Sequence, residues 1–389
     1  VTHDKGLALR MLRTIEIRRR LHDFNSVANG LIILGGNDTL AGNAASARRH
    51  LAELEAMRSL PKVNADGVWE LGRVWLAGLI AVSERDGATA LPFLEQALAL
   101  VATMQETSFR ILILTDLCRA NLLQGNVGAA VETSRRAIDL YGARESRSMG
   151  AGLSPAVVWW WRHQALASQG DARQAGKALE TAYELLLEGI STLSDEGLRR
   201  SYLNKIDSNR AIVQAWIAYA RRRRYSAKRR AAHLAGEADL RAPFERLVDT
   251  GMRLNELRSA EELHEFLVDE VTELSGAERV LLVLDTPEGH RVACSQLPKG
   301  EDAATLSKVI APWLDEARRT RATSLRCIPE GADELDQRSC LVAPLIAQQR
   351  LLGYLYADID GAFGRFHDAA RDLLGMLTAQ AAVALHNAQ

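Results

Sequence analysis

Ser339–Ile359, SCLVAPLIAQQRLLGYLYADI, and then Ala362–Gln389, AFGRFHDAARDLLGMLTAQAAVALHNAQ, decide how the C-terminal half folds. The first stretch reads as two strands, Leu341–Ala347 and Leu351–Ile359, joined across Gln348–Arg350. Their near-continuous apolar character requires a sheet covered on both faces. In the second stretch, helical spacing from Ala370 puts Leu373, Leu374, Leu377, Ala381, Ala384, Leu385 and Ala388 on one face. Met376, Ala379, Ala382 and Val383 make much of the other side apolar too. Such a helix is expected to bury one side on the sheet and the other on a partner helix. No Gly or Pro stop signal follows it, and the chain begins at Val1 without Met, so a piece of a longer protein is expected.

Working upstream, Ala242–Leu257 after the Gly236–Asp239 break reads as a helix. Ser259 with Glu262 is a capping-box signature that opens a second helix carrying Leu263, Phe266, Leu267, Val271 and Leu274, ended at Ser275-Gly276. Further strands are expected at Arg279–Leu284, His290–Gln296 and Ser324–Ile328, with a helix over about 303–321 that carries Trp313. Residues 236–389 therefore form one α+β sandwich with a mostly antiparallel sheet.

The blocks ELHEFLVDEVTELSGAERVLLVLD, SCLVAPLIAQQRLLGYLYAD and FGRFHDAARDLLGMLTAQAAVALHNAQ, in this order and spacing, resemble a GAF domain. The resemblance implies first and last helices on one face of the sheet and a small-molecule pocket on the other, under the interposed helix. It also implies homodimer pairing through the helices, with Leu373, Leu374, Leu377, Ala381, Ala384 and Leu385 as the dimer and signalling face. The pocket candidates are Trp313, Arg326, Cys327, Cys340 and Asp358. Plainer readings stand beside these: Cys327 and Cys340 as packing thiols, and Asp333, Glu334, Asp336, Asp358 and Asp360 as loop acids.

The ligand is not named by these residues. Phe366 matches the phenylalanine of the cyclic-nucleotide signature, but Ala370 and Arg371 stand where its acidic pair would fall and no Asn-Lys precedes them, which disfavours a cyclic nucleotide. The cysteine contexts ACSQL, RCIPE and SCLVA do not resemble bilin attachment sites, and His290, His367 and His386 lack the setting of a haem ligand. If Cys327 and Cys340 meet across the sheet, a redox role or a cysteine-dependent methionine sulfoxide reductase is an alternative.

Residues 1–235 repeat. Aligned on turns at Gly42, Arg85, Gly125 and Gly170, position +5 holds Ala47, Ala90, Ala130 and Ala175, and position +12 holds Leu54, Ala97, Ala137 and Ala182. Position +9 holds Leu51, Leu94, Ser134 and Leu179, position −11 holds Leu31, Val74, Leu114 and Trp159, and position −7 holds Gly35, Gly78, Cys118 and His163. The content is a helical hairpin in which small residues let the helices approach and each unit buries its face on the next. LTDLCRANLLQGNVGAAVETSRRAI and WWWRHQALASQGDARQAGKALETAYELL resemble tetratricopeptide repeats, although the turn spacings of 43, 40 and 45 residues exceed that family's usual length. Arrays of this kind imply a groove for a partner protein or peptide, and Trp69, Trp75, Trp159 and Trp160 are its candidates; packing between repeats is the competing assignment.

Arg221–Arg224 with Lys228–Arg230 reads as a solvated cap rather than a nucleic-acid patch, because 48 basic and 49 acidic residues leave a net charge of −1. That balance gives no reason to expect nucleic acid or an anionic membrane as a partner. No uncharged apolar run of membrane-spanning length and no leader is present, so a cytoplasmic location is expected. The four cysteines have no metal-ligand spacing, and no phosphate loop, HExxH or Ser-His-Asp order occurs. The whole reads as a non-catalytic sensory and regulatory segment: an all-α solenoid, then a GAF-like sandwich, with an effector such as a nucleotide cyclase or histidine kinase expected beyond Gln389. The alternative is a repeat scaffold with a ligand-free GAF dimerisation module.

Overall fold

The computed structural model describes residues 5–59, 67–104, 106–143, 154–235, 247, 250, 251, 253, 254 and 259–388. Two compact units emerge, Val1–Leu186 with Ile206–Trp216, and Leu187–Lys205 with Ile217–Gln389.

In the first unit α1 (Lys5–Arg20) precedes the hairpins α2 (Phe24–Leu40)/α3 (Ala44–Ala56), α4 (Val68–Ser83)/α5 (Gly87–Val101), α6 (Thr107–Leu123)/α7 (Val127–Gly142) and α8 (Pro155–Gln169)/α9 (Ala172–Ser191). One turn chemistry joins all four. Gly42, Arg85, Gly125 and Gly170 have φ of 72°, 64°, 73° and 88°, a conformation that favours glycine. Their N–H groups donate to the carbonyls of Thr39, Val82, Leu122 and Ala167, and the next N–H of each donates to Asp38, Ala81, Asn121 and Leu166, all at 2.7–3.1 Å. This double closure satisfies carbonyls that a helix end leaves open. Asn43, Asp86 and Asp171 then cap the second helix by accepting from the N–H of Ser46, Thr89 and Gln174.

Small residues set the hairpin spacing. None of Ala47, Ala90, Ala130, Ala175, Leu54, Ala97, Ala137 and Ala182 is more than 3% exposed. A Cβ on Gly35 would lie 2.6 Å from Leu76, and one on Gly78 2.7 Å from Leu94. His163 stands at the equivalent place in the fourth hairpin, where its Nδ1 lies 2.9 Å from the carbonyl oxygen of Ala175.

Three of the four groove candidates are interior. Trp69, Trp75 and Trp160 are buried; Trp69 donates Nε1–H to the Leu54 carbonyl at 3.2 Å, and Trp75 donates to the buried Asp116 at 3.0 Å. Trp159 is half-buried against Leu166, Ala175 and Ala178. The physical reason is that a bulky indole between helices removes more apolar area from water than any other residue available to fill that space.

The second unit is built on a five-stranded antiparallel sheet of β1 (Arg279–Thr286), β2 (Gly289–Gln296), β3 (Ser324–Ile328), β4 (Arg338–Ala347) and β5 (Arg350–Asp360), in the order β2-β1-β5-β4-β3. Its helices are α10 (Glu196–Asn204), the end of α11 (Asp207–Arg222), α12 (Ala227–Arg230), α13 (Ala260–Ser275), α14 (Ala303–Thr320) and α15 (Asp368–Ala388). Strand alternation divides the core. Leu281, Val283, Cys340, Val342, Tyr354 and Tyr356 meet Leu306, Ile310, Leu314 and Ala317 of α14. The intervening residues face α13 and α15, which pack on the opposite side. The β4–β5 turn uses Gln348 and Gln349 at φ 46° and 65°, the geometry of a tight two-residue hairpin without glycine.

Leu373, Leu374, Leu377, Ala381, Ala384 and Leu385 are all buried within this single chain, so the face assigned to a dimer partner belongs to the core. The outward apolar positions are instead Met376, Ala379 and Val383. The expected helix Ala242–Leu257 falls mostly outside the described residues. Within it, Thr250 donates to Glu270 at 2.6 Å.

His233 is buried, with Nε2 2.8 Å from the Ala362 carbonyl oxygen. Burial pushes its pKa down from 6.5 to about 4, against the pull of that carbonyl. The unfolded chain therefore takes up a proton before the folded one does. The contribution of His233 is complete above pH about 6.5 and is expected to be lost progressively down to pH about 4, by roughly 3 kcal/mol. Denaturant melts of His233→Gln and the parent chain across that range check this: the two curves should converge as pH falls, and parallel curves would exclude it.

Candidate functional site

On the α14 side of the sheet lies an open cleft of about 420 Å³. One helical face, Asp302, Thr305, Leu306, Val309, Ile310 and Trp313, forms one wall; Arg279, Gly300, Glu301, Ile328 and Tyr356 complete it. The cleft has two ends of different chemistry. Trp313 and Tyr356 stack at 6.4 Å with a 27° interplanar angle, and Val309 remains 61% exposed on the wall. At the other end Asp302 caps α14, accepting from the N–H and hydroxyl of Thr305 at 2.7 and 2.8 Å.

Beneath the floor is a buried charge cluster. Antiparallel register sets Arg279 opposite Asp358, and Asp358 opposite Cys340, on one face. Asp358 is fully buried and accepts from Arg279 Nε at 2.9 and 2.8 Å, from Arg338 Nη2 at 2.8 Å and from the Tyr356 hydroxyl. Arg338 also donates to the buried Glu278, and Arg279 Nη1 donates to Glu301 at 3.3 Å on the cleft rim. Burial works against the charge on Arg279, but its bonds to Asp358 more than offset this and raise its pKa. Burial, then the Asp358 charge, pushes the Tyr356 hydroxyl up, so it stays a donor.

Of the five pocket candidates, Trp313 alone lines the cleft. Arg326 lies behind it, its guanidinium carbon 5.1 Å from the Trp313 ring centroid and Nη2 donating to Glu316 at 3.0 Å. Cys340 sits under Tyr356, whose hydroxyl is 3.7 Å from its sulfur, and burial followed by the Asp358 charge pushes the thiol up to about 11. Asp358 is a strand residue and not a loop acid. Cys327 pairs with Ser339, so it points to the opposite face from Cys340, beside Arg365 Nη2 at 3.2 Å. The two thiols do not meet across the sheet, because the pleat sends neighbouring residues of adjacent strands to different sides.

Arg279, Glu301, Asp302 and Tyr356 were not among the candidates. Arg279–Leu281–Val283 and Tyr354–Tyr356–Asp358 each follow the two-residue strand period, which places each trio on one face of its own strand; the β1–β5 register then puts both on the same face. Among the described residues no group of three or more His, Cys, Asp or Glu is arranged to hold a metal ion, and no helix is long and apolar enough to cross a membrane.

The sheet thus carries two helices behind and one in front, with the cleft under the latter. Residues 259–385 match the GAF domain family. Among solved structures, this GAF segment is similar to the GAF domain/HD domain protein from Geobacter sulfurreducens at 19% identity, covering 35% of this chain and 98% of that one, with a TM-score of 0.29. It is also similar to the cyanobacteriochrome TePixJ GAF domain at 20% identity, covering 35% and 94%, TM-score 0.29. A third is the GAF domain of a phosphoenolpyruvate-protein phosphotransferase from Acinetobacter, at 16% identity, 38% and 95% coverage and TM-score 0.27. No curated protein matches the chain.

Proposed function

We propose that the chain is a sensory and regulatory segment of a signalling protein, in which the GAF cleft takes a small amphiphilic ligand. The observation that carries this is the two-ended cleft, with Val309, Ile310, Trp313 and Ile328 at one end and Glu301, Asp302 and Arg279 at the other. An exposed valine beside an aromatic pair favours a planar apolar body. At the polar end two carboxylates stand against one guanidinium whose charge is already met by Asp358, which favours a cationic or hydrogen-bond-donating head. The proposal includes no catalytic step. The separated thiols, one held well above neutral pH by burial, give no support to cysteine-dependent reduction.

The hairpins would act as a tetratricopeptide-like array that binds a partner protein, and Met376, Ala379 and Val383 of α15 would meet a second copy or an effector. The second reading, a GAF fold without ligand, rests on that outward stripe.

Melting the full chain with tryptamine, indole and indole-3-acetate separates them. Tryptamine at saturating concentration is expected to raise Tm by a few degrees, and Trp313→Ala to abolish the shift. No shift with any of the three would remove the ligand reading.

A further inference from the structure

Residues 187–205 and 217–235, upstream of the matched GAF segment, belong to the same compact unit, and their buried bonds to that segment converge on two places. One is the end of α13. Arg200, only 4% exposed, donates Nη1–H to the Ser275 carbonyl at 3.1 Å; Asn204 donates to the Gly276 carbonyl at 2.9 Å and Lys205 to that of Glu278 at 3.1 Å. These are carbonyls at and just beyond a helix C-terminus, where cationic donors are favoured. The approach is at backbone distance: a Cβ on Gly197 would lie 2.3 Å from the Leu274 carbonyl oxygen, and Gly276, at φ +65°, has the Gly197 carbonyl oxygen 2.4 Å from its Cβ position.

The other place is the loop that leads into α15. The same Arg200 donates Nη2–H to the Arg365 carbonyl and to Glu196 at 2.5 Å, and its guanidinium carbon lies 5.2 Å from the Phe366 ring centroid. His233 holds the Ala362 carbonyl of that loop, whereas Arg221 and Arg230 reach the neighbouring β3–β4 connection, pairing with Asp336 and Asp333 at 2.8 and 3.5 Å. From the sheet side the loop is met by Ser339, whose hydroxyl oxygen accepts from the Phe366 N–H at 3.0 Å. One buried guanidinium thus joins the end of α13 to the start of α15.

We propose that this upstream segment is a strap, with Arg200 as its pin, that fixes the position of the α15 lead-in and passes displacements of the upstream helices to α15 without a ligand in the cleft. The basic run of Arg221 and Arg230 has its use here, as the outer fastening of the strap. Removing the pin releases two segments distant in sequence and leaves the sheet between them intact.

Amide hydrogen exchange on the full chain tests this. Arg200→Ala is expected to accelerate exchange about tenfold in residues 361–372 and 274–279, the size implied by losing charge-assisted bonds, with residues 341–346, 352–357 and the hairpin 68–101 unchanged. Arg200→Lys, which keeps the charge and most of the packing, should show the same two segments accelerated by a smaller factor and serves alone if Arg200→Ala does not fold. Acceleration spread equally over strands and hairpins, or confined to one of the two segments, would overturn the strap.

Discussion

Replacing Asp358 by Ala is expected to destabilise the C-terminal unit by about 3–5 kcal/mol, the cost of leaving buried charge without its counter-ion. Asp358 is 0% exposed, and Arg279 and Arg338, at 17% and 25% side-chain exposure, both depend on it. Neither guanidinium has a full substitute: Arg279 would keep only rim-exposed Glu301, and Arg338 would keep Glu278 and, at 3.7 Å, Asp360. Replacing Asp358, Arg279 and Arg338 together by Leu, Met and Met, with Glu278→Gln so that the carboxylate buried against Arg338 is not left unpaired, removes the charges as well as the pairing and should recover most of the loss. Urea melts of the three proteins check this. A single-variant cost below about 1 kcal/mol would mean that water reaches the cluster and screens it.

In the helical unit the largest effect is expected at Leu94, fully buried and facing Gly78. Leu94→Ala should cost about 2–5 kcal/mol through lost transfer free energy and a cavity. Gly78→Ala in the parent chain adds a methyl 2.7 Å from Leu94 Cγ and 2.8 Å from Cδ2, an overpacking cost of about 1–3 kcal/mol. In the Leu94→Ala background that methyl has room, and the helix propensity of Ala over Gly should make the same change stabilising by up to about 1 kcal/mol. Four melting curves give the cycle, and additive effects would show that the two residues do not touch.

The repeats were legible because their turns leave a chemical mark: a left-handed residue followed by Asn or Asp, with Arg85 as the one non-glycine in the series. The sheet was legible because VLLVL and LLGYLYA are apolar on both faces. The cleft was not, since Arg279, Glu301 and Tyr356 come from three segments whose meeting depends on the β1–β5 register. Asp358 looked like a loop acid because a carboxylate inside a strand makes sense only with Arg279 opposite it and Arg338 diagonally across from it. That Trp69, Trp75 and Trp160 and the leucines of α15 face the interior was not legible, for a shared reason: a helix apolar on two sides does not say which side meets its own chain.

A small ligand in the cleft would sit against Trp313. The seven tryptophans can each be given a 5-fluoro label and resolved by fluorine NMR, with Trp313→Phe assigning the resonance from the cleft. Addition of tryptamine to the full chain is predicted to move the Trp313 resonance in a saturable way and leave those of Trp69, Trp75, Trp159 and Trp160 in place. A spectrum in which Trp313 stays fixed while the tryptophans of the hairpins move would contradict it.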